Sequence, residues 1–181
     1  MQAAVAELAD IVARHDLAAL KRHLQDDAKI SFGGDAGPAG LNTVWEPARA
    51  DTQLWSELRE ILALGGSQSR HEAAWEWCAP YPACADAPIA SDLTGYDYVV
   101  VTGTAVAVRS APSTGAPLLG RANHDVLELA DADEAEWWQV KWRGTTGYVR
   151  RDLARSPIDY RITLRIPQQG DWSIQYFVGG D

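Results

Sequence analysis

Within Trp137-Trp138-Gln139-Val140-Lys141-Trp142, Trp138, Val140 and Trp142 share one parity, and Trp137, Gln139 and Lys141 share the other. Period two is the signature of an extended strand with two distinct faces, and one row here belongs to a core. Neighbouring segments carry the same signal. Two β-branched runs around Tyr98 and Val106 are broken by Thr102-Gly103-Thr104 and stop at Ala111-Pro112-Ser113. Val126, Leu127 and Leu129 supply a third strand, and Arg143 to Gly147 reads as a turn before Tyr148-Val149 restarts the sheet. Short strands and turns from Tyr98 to Leu153 predict a small closed β-barrel of about five strands.

Two motifs in this stretch carry a family resemblance. Val106-Ala107-Val108-Arg109-Ser110-Ala111-Pro112 resembles the first hairpin of bacterial SH3 (SH3b) domains. Trp137-Trp138-Gln139-Val140 followed by Gly147-Tyr148-Val149 resembles their later signature. The match covers about a third of the chain. It implies an SH3-like barrel and a location in the bacterial envelope, periplasmic or secreted, with the cytoplasm as the alternative. Cell-wall peptide, glycopeptide or another protein is the implied partner. An aromatic groove on such a barrel binds extended ligands by flat apolar contact, and its candidates here are Trp137, Trp138, Trp142 and Tyr148. Arg109, Asn123 and Asp125 are the candidates for polar direction. Each tryptophan taken singly is a better candidate for the core or the domain interface than for ligand contact.

The rest of the chain reads as a second body. Val5, Leu8, Ile11 and Val12, then Leu17, Leu20 and Leu24, recur at helical spacing and predict two helices with a bend at His15-Asp16, where Asp16 caps the second. A short strand over residues 28–32 stops at Gly33-Gly34-Asp35, and AGPAG reads as a loop. A third helix is expected over residues 52–64 with Asp51 as its cap, then a strand at residues 73–77. Beyond Ser156-Pro157, DYRITLRI and DWSIQYFV alternate on either side of a Gln-Gln-Gly-Asp turn and predict a hairpin, with Trp172, Ile174 and Tyr176 on one parity. An isolated hairpin is marginal in water, so this one needs a home. Two helices, a strand, a third helix and a terminal hairpin are similar in order to the NTF2-like (cystatin-like) α+β cone. The expected class is therefore α+β, with an SH3-like barrel packed on, and inserted into, a small helix-plus-antiparallel-sheet domain. Residues 1–97 would be completed by 156–181, and residues 98–155 would form the barrel. The alternative is a tail hairpin that flanks the barrel.

Charge and chemistry narrow the function. The net charge is −9, and acids outnumber bases roughly two to one over residues 1–97 while the two balance over 98–155. No basic stripe awaits nucleic acid or anionic lipid, and no apolar run is long enough to span a membrane. Cys78 and Cys84 either close a local disulfide or are held apart by Pro80 and Pro82. No metal site or cofactor is expected. No catalytic set is legible either: His15, His23, His71 and His124 stand singly, and a Cys84 nucleophile with His124 as base would need placement by the fold. Ser31-Phe32-Gly33-Gly34-Asp35 and Phe177-Val178-Gly179-Gly180-Asp181 could offer two carboxylates to a cation or be two solvated strand exits. The expected role is non-catalytic binding through the aromatic groove. An inhibitor, immunity or regulatory protein acting through the acidic N-terminal surface, and an enzyme or small-molecule binder with a pocket in the cone, are the alternatives.

Overall fold

The computed structural model describes residues 1–71, 74–84, 93–131 and 136–180, without the side chains of His71 and Pro82. In chain order the elements are α1 (Gln2–Arg14), α2 (Leu17–Arg22), β1 (Leu24–Lys29), α3 (Gly37–Trp45), α4 (Leu54–Ala63), β2 (Ser67–His71) and β3 (Ala74–Ala79). A helical turn over Tyr81–Cys84 follows, then β4 (Tyr98–Val101), β5 (Val106–Arg109), β6 (Leu118–Ala122), β7 (Val126–Asp131), β8 (Trp137–Trp142) and β9 (Thr145–Arg150). A 3-10 turn at Arg151–Leu153, β10 (Ala154–Arg155), β11 (Arg161–Pro167) and β12 (Ser173–Val178) complete the chain. The class is α+β, with two sheets. Two compact units divide it, Met1–Ala85 with Ile158–Asp181, and Asp86–Pro157.

In the first unit, α1 ends where His15 takes the left-handed conformation, at φ 53°, and the His15 and Asp16 amides return to Val12 and Ile11 carbonyls. Asp16 then caps α2 by accepting the Ala19 amide at 2.9 Å. Two helices meet here because one residue pair ends the first and starts the second. Next, β1 stops at Lys29, short of the strand anticipated at residues 28–32, because Ser31 and Asp35 close a turn. The Ser31 hydroxyl donates to Asp35 at 2.6 Å while accepting the Gly33 and Asp35 amides. AGPAG opens α3 rather than a loop, since Pro38 occupies the first turn, where its missing N–H costs nothing. Thr52, not Asp51, supports the start of α4, accepting the Leu54 amide at 3.3 Å and donating to the Trp45 carbonyl at 2.7 Å. Asp51 instead pairs with Arg49.

The sheet of this unit runs β1-β12-β11-β3-β2. It is mixed rather than wholly antiparallel, because β1 joins β12 in parallel. Leu8, Ile11, Leu20, Leu41, Leu54, Leu58 and Ile61 of the helices share one cluster with Trp77, Ile162, Leu164, Ile174 and Phe177 of the sheet. Burial of each such side chain contributes about 1.5 to 3 kcal/mol. The parity expected for the last strand fails halfway. Leu164 faces Ile174 but Thr163 faces Tyr176, so Gln175 is an extra residue on β12. That bulge reverses the faces beyond it: Phe177 is buried and Tyr176 is exposed.

The second unit is a seven-stranded sheet in the order β10-β4-β7-β8-β9-β5-β6. It is not the closed barrel anticipated from the sequence. Among the described residues no ladder joins β10 to β6; the first is two residues long and bonds only β4. Its core gathers Val99, Val101, Val108, Leu127, Trp138, Val140, Trp142 and Val149. The turn between β8 and β9 needs only Arg143 and Gly144, with φ of 48° and 84°, the positive values that a two-residue hairpin loop demands. Gly147 lies inside β9 for another reason. A Cβ there would stand 2.6 Å from Val108 Cγ1 and 3.1 Å from Trp142 Cβ.

Candidate functional site

Three separated segments of the second unit enclose an open groove of about 470 Å³. One wall is Pro112, Ser113 and Thr114 from the β5–β6 loop, the second is Glu136 and Trp137 at the start of β8, and the third is Arg150, Arg151 and Asp152 after β9. The first wall is held by Arg109. Its guanidinium donates to the Ala116 carbonyl at 2.7 Å, and the Ser110 amide closes the loop base onto Pro117 at 3.0 Å. The second and third walls are joined by the Arg151 amide, which donates to the Glu136 carbonyl at 2.9 Å.

Charges of both signs line the groove. Arg150 and Asp152 form two parallel hydrogen bonds at 2.9 and 2.8 Å, which fixes the plane of the guanidinium. The Arg151 guanidinium lies 3.8 Å from the Trp138 ring centroid, and the Trp138 indole N–H donates to the Ala154 carbonyl at 3.2 Å. Trp138 is thus buried on one side and bears the cation on the other. The groove combines one largely buried indole, one proline ring, two carboxylates and two guanidiniums in a trough open to solvent.

Of the residues singled out from sequence, Trp137 borders this trough but is only 8% exposed, and Trp138 is buried beneath Arg151, so the exposed row of indoles expected from the sequence is not present. Arg109 positions the loop wall without being part of the lining. Trp142 lies in the core, where a Cβ on Gly120 would stand 2.8 Å from its ring, and Arg143 covers it at 4.9 Å. Tyr148 is half-buried on β9, opposite Gln139 and Arg109, outside the groove lining. Asn123 and Asp125 build the β6–β7 turn. Asn123 Oδ1 accepts the Ala105 amide at 2.7 Å, and Asp125 accepts the Asn123 amide at 2.9 Å. Pro112, Glu136, Arg150, Arg151 and Asp152 were not legible as site residues. The only signal was the charged run directly after the Gly-Tyr-Val motif, which also reads as a solvated strand end.

Elsewhere, Cys78 and Cys84 form a disulfide, with Cα atoms 5.6 Å apart. Among the described residues no three His, Cys, Asp or Glu side chains converge to hold a metal ion, and no helix is long and apolar enough to cross a membrane. The Cys84 sulfur is committed to the bridge and is not a free nucleophile. The helix-facing side of the first sheet is filled by aliphatic side chains, including Leu8, Leu54, Leu58 and Leu164, each fully buried. Asp181, one of the two carboxylates considered for a cation, and the connection over residues 85–92 lie outside the described residues.

Comparison with protein-family models, with curated proteins and with solved structures gave no match to this chain.

Proposed function

We propose that the chain is a non-catalytic binding protein of the bacterial cell envelope whose second unit, an SH3b-like module, takes a short extended peptide. The peptide of cell-wall glycopeptide is the ligand class that the family resemblance implies. One observation carries this reading: the trough sets the Pro112 ring and the small exposed part of Trp137, a residue only 8% exposed, beside charges of both signs from Glu136, Arg150, Arg151 and Asp152. Peptides that carry amino and carboxylate groups beside short apolar side chains match that lining, and an open trough suits an extended chain. The antiparallel hairpins β5–β6 and β7–β8–β9, with the β5–β6 loop beside the start of β8, support an SH3-like reading of the unit. The Cys78–Cys84 disulfide supports an oxidising compartment.

Titration of the full chain with purified disaccharide-peptide fragments, followed by calorimetry and tryptophan emission, tests it. Saturable heat that Arg151→Glu weakens at least about tenfold is the expected result. Saturating fragment that leaves both heat and emission unchanged overturns the cell-wall reading.

A further inference from the structure

One side of the first sheet packs on the helices, and the strand registers define what its other side carries. Lys29 of β1 is the ladder partner of Tyr176 on β12, which is in turn the partner of Thr163 on β11. Directly opposed residues share a side, and Arg161 and Arg165 stand two residues before and after Thr163 on a strand whose ladder with β3 is regular. Lys29, Arg161, Arg165 and Tyr176 therefore point away from Ile162, Leu164 and Phe177, which join the helix-facing core. Phe32 reaches the same side from the turn after β1. Lys29 Nζ lies 4.9 Å from its ring centroid and the Arg161 guanidinium carbon 5.7 Å. Phe32 is 47% exposed and Tyr176 45%, so two rings and three cations share one open face.

Among the described residues, Lys29, Arg161 and Arg165 have no carboxylate within 4.0 Å, although the chain carries a net charge of −9. Arg161 donates to the Gly180 carbonyl at 2.9 Å, a bond that orients the guanidinium and leaves its charge uncompensated. Charge complementarity makes the occupant anionic. Glu76, the cross-strand neighbour of Arg165, and the exposed Asp26 and Asp27 ahead of Lys29 oppose a dense polyanion such as polyphosphate. A peptide is disfavoured for a different reason: β11 and β12 are interior strands, paired on both edges, so a second backbone finds no ladder to extend here. An acidic sugar meets both conditions. The C–H face of a pyranose ring lies flat on an exposed aromatic ring, and its single carboxylate reaches a neighbouring cation. We infer that this face of the first sheet binds an oligosaccharide of uronic acid residues, with pyranose rings on Tyr176 and Phe32 and carboxylates on Lys29, Arg161 and Arg165. The site is separate from the groove of the second unit and does not depend on the ligand of that groove.

Calorimetric titration of the full chain with a galacturonate tetrasaccharide tests this. Saturable heat is expected, weakening as salt rises. Tyr176→Ala and Lys29→Ala should each lower the affinity about fivefold or more, while Tyr176→Phe, which keeps the ring, should retain most of it. The uncharged galactose tetrasaccharide should bind at least about tenfold more weakly. Arg151→Glu in the other groove should change nothing. Lys29, Tyr176 and Arg151 are exposed, so circular dichroism should report the parent fold for each variant. Four results would each overturn the proposal: no heat at saturating galacturonate, equal affinity for the uncharged sugar, indifference to both alanine variants, or tighter binding of a glutamate-rich peptide, which would make the partner a protein.

Discussion

His23 and Trp172 stack face to face, with ring centroids 3.7 Å apart and planes 5° from parallel, across 149 residues of chain. The His23 Nδ1 lies 3.0 Å from the Trp172 carbonyl, while Glu7 accepts the Trp172 indole N–H at 2.8 Å and approaches His23 Nε2 at 3.4 Å. One indole therefore ties α1, the end of α2 and the terminal hairpin together. Trp172→Ala should destabilise the first unit by about 3 to 5 kcal/mol, and Trp172→Phe, which keeps a ring but loses the hydrogen bond, by about 1 to 2 kcal/mol. Denaturant unfolding of both variants gives the two values, and a Trp172→Phe loss near zero would discount the Glu7 bond.

The same contact sets a pH dependence. The Trp172 indole N–H holds the Glu7 carboxyl below its ordinary range; burial opposes it, and His23 and Arg22 add smaller lowering effects. A carboxyl lowered in the fold contributes its stability in full above its ordinary range and loses it as pH falls through the lowered value. Glu7 is more than half exposed, so solvent screening keeps the effect small. Between about pH 6 and about pH 3, Glu7→Gln should flatten the stability curve measurably relative to the parent.

The disulfide closes a short loop. Cys78 and Cys84 are 6 residues apart, and constraining so small a loop in the unfolded chain contributes about 2 kcal/mol. Replacing both cysteines by alanine should lower the thermal midpoint of the first unit, and reductant should lower the parent to a similar value. A reductant effect that persists in the double variant would point to some other cause.

Gly120 and Gly147 allow Trp142 to close against its neighbours. Gly147→Ala places a methyl group 2.6 Å from Val108, so the core must shift at a cost of about 1 to 3 kcal/mol. Gly144→Ala meets no atom within 4 Å, and strain from its positive φ, about 1 kcal/mol, is the only penalty expected. Comparing the two variants by denaturant titration separates crowding from backbone strain.

In the groove, Arg150→Ala breaks an exposed pair with Asp152, and exposed pairs contribute at most about 1 kcal/mol. Stability should hardly change. Peptide affinity should fall, because Asp152 loses its fixed partner and the trough loses one cation. Calorimetry on the variant checks this, and unaltered affinity would place the ligand elsewhere.

Local chemistry is legible wherever one residue decides the backbone. Asp16 can cap only by leaving the helix, and the rows of Trp138, Val140 and Trp142 follow from the two-residue period of a strand, so both could be read directly. Reading failed where the decision was made at a distance. Nothing near Gln175 marks it as a bulge; the register with Leu164 and Thr163 creates it, and Phe177 rather than Tyr176 then turns to the core. The α3 helix hid behind a Gly-Pro pair whose meaning depends on whether a helix follows. The groove draws on residues near 113, 137 and 151, and no sequence period connects them. The sequence by itself determined which short segments bend, extend or coil, because those choices rest on a residue and its immediate neighbours. Only the tertiary structure decided which side chains share a surface, because strand order and register bring together groups that the chain keeps far apart.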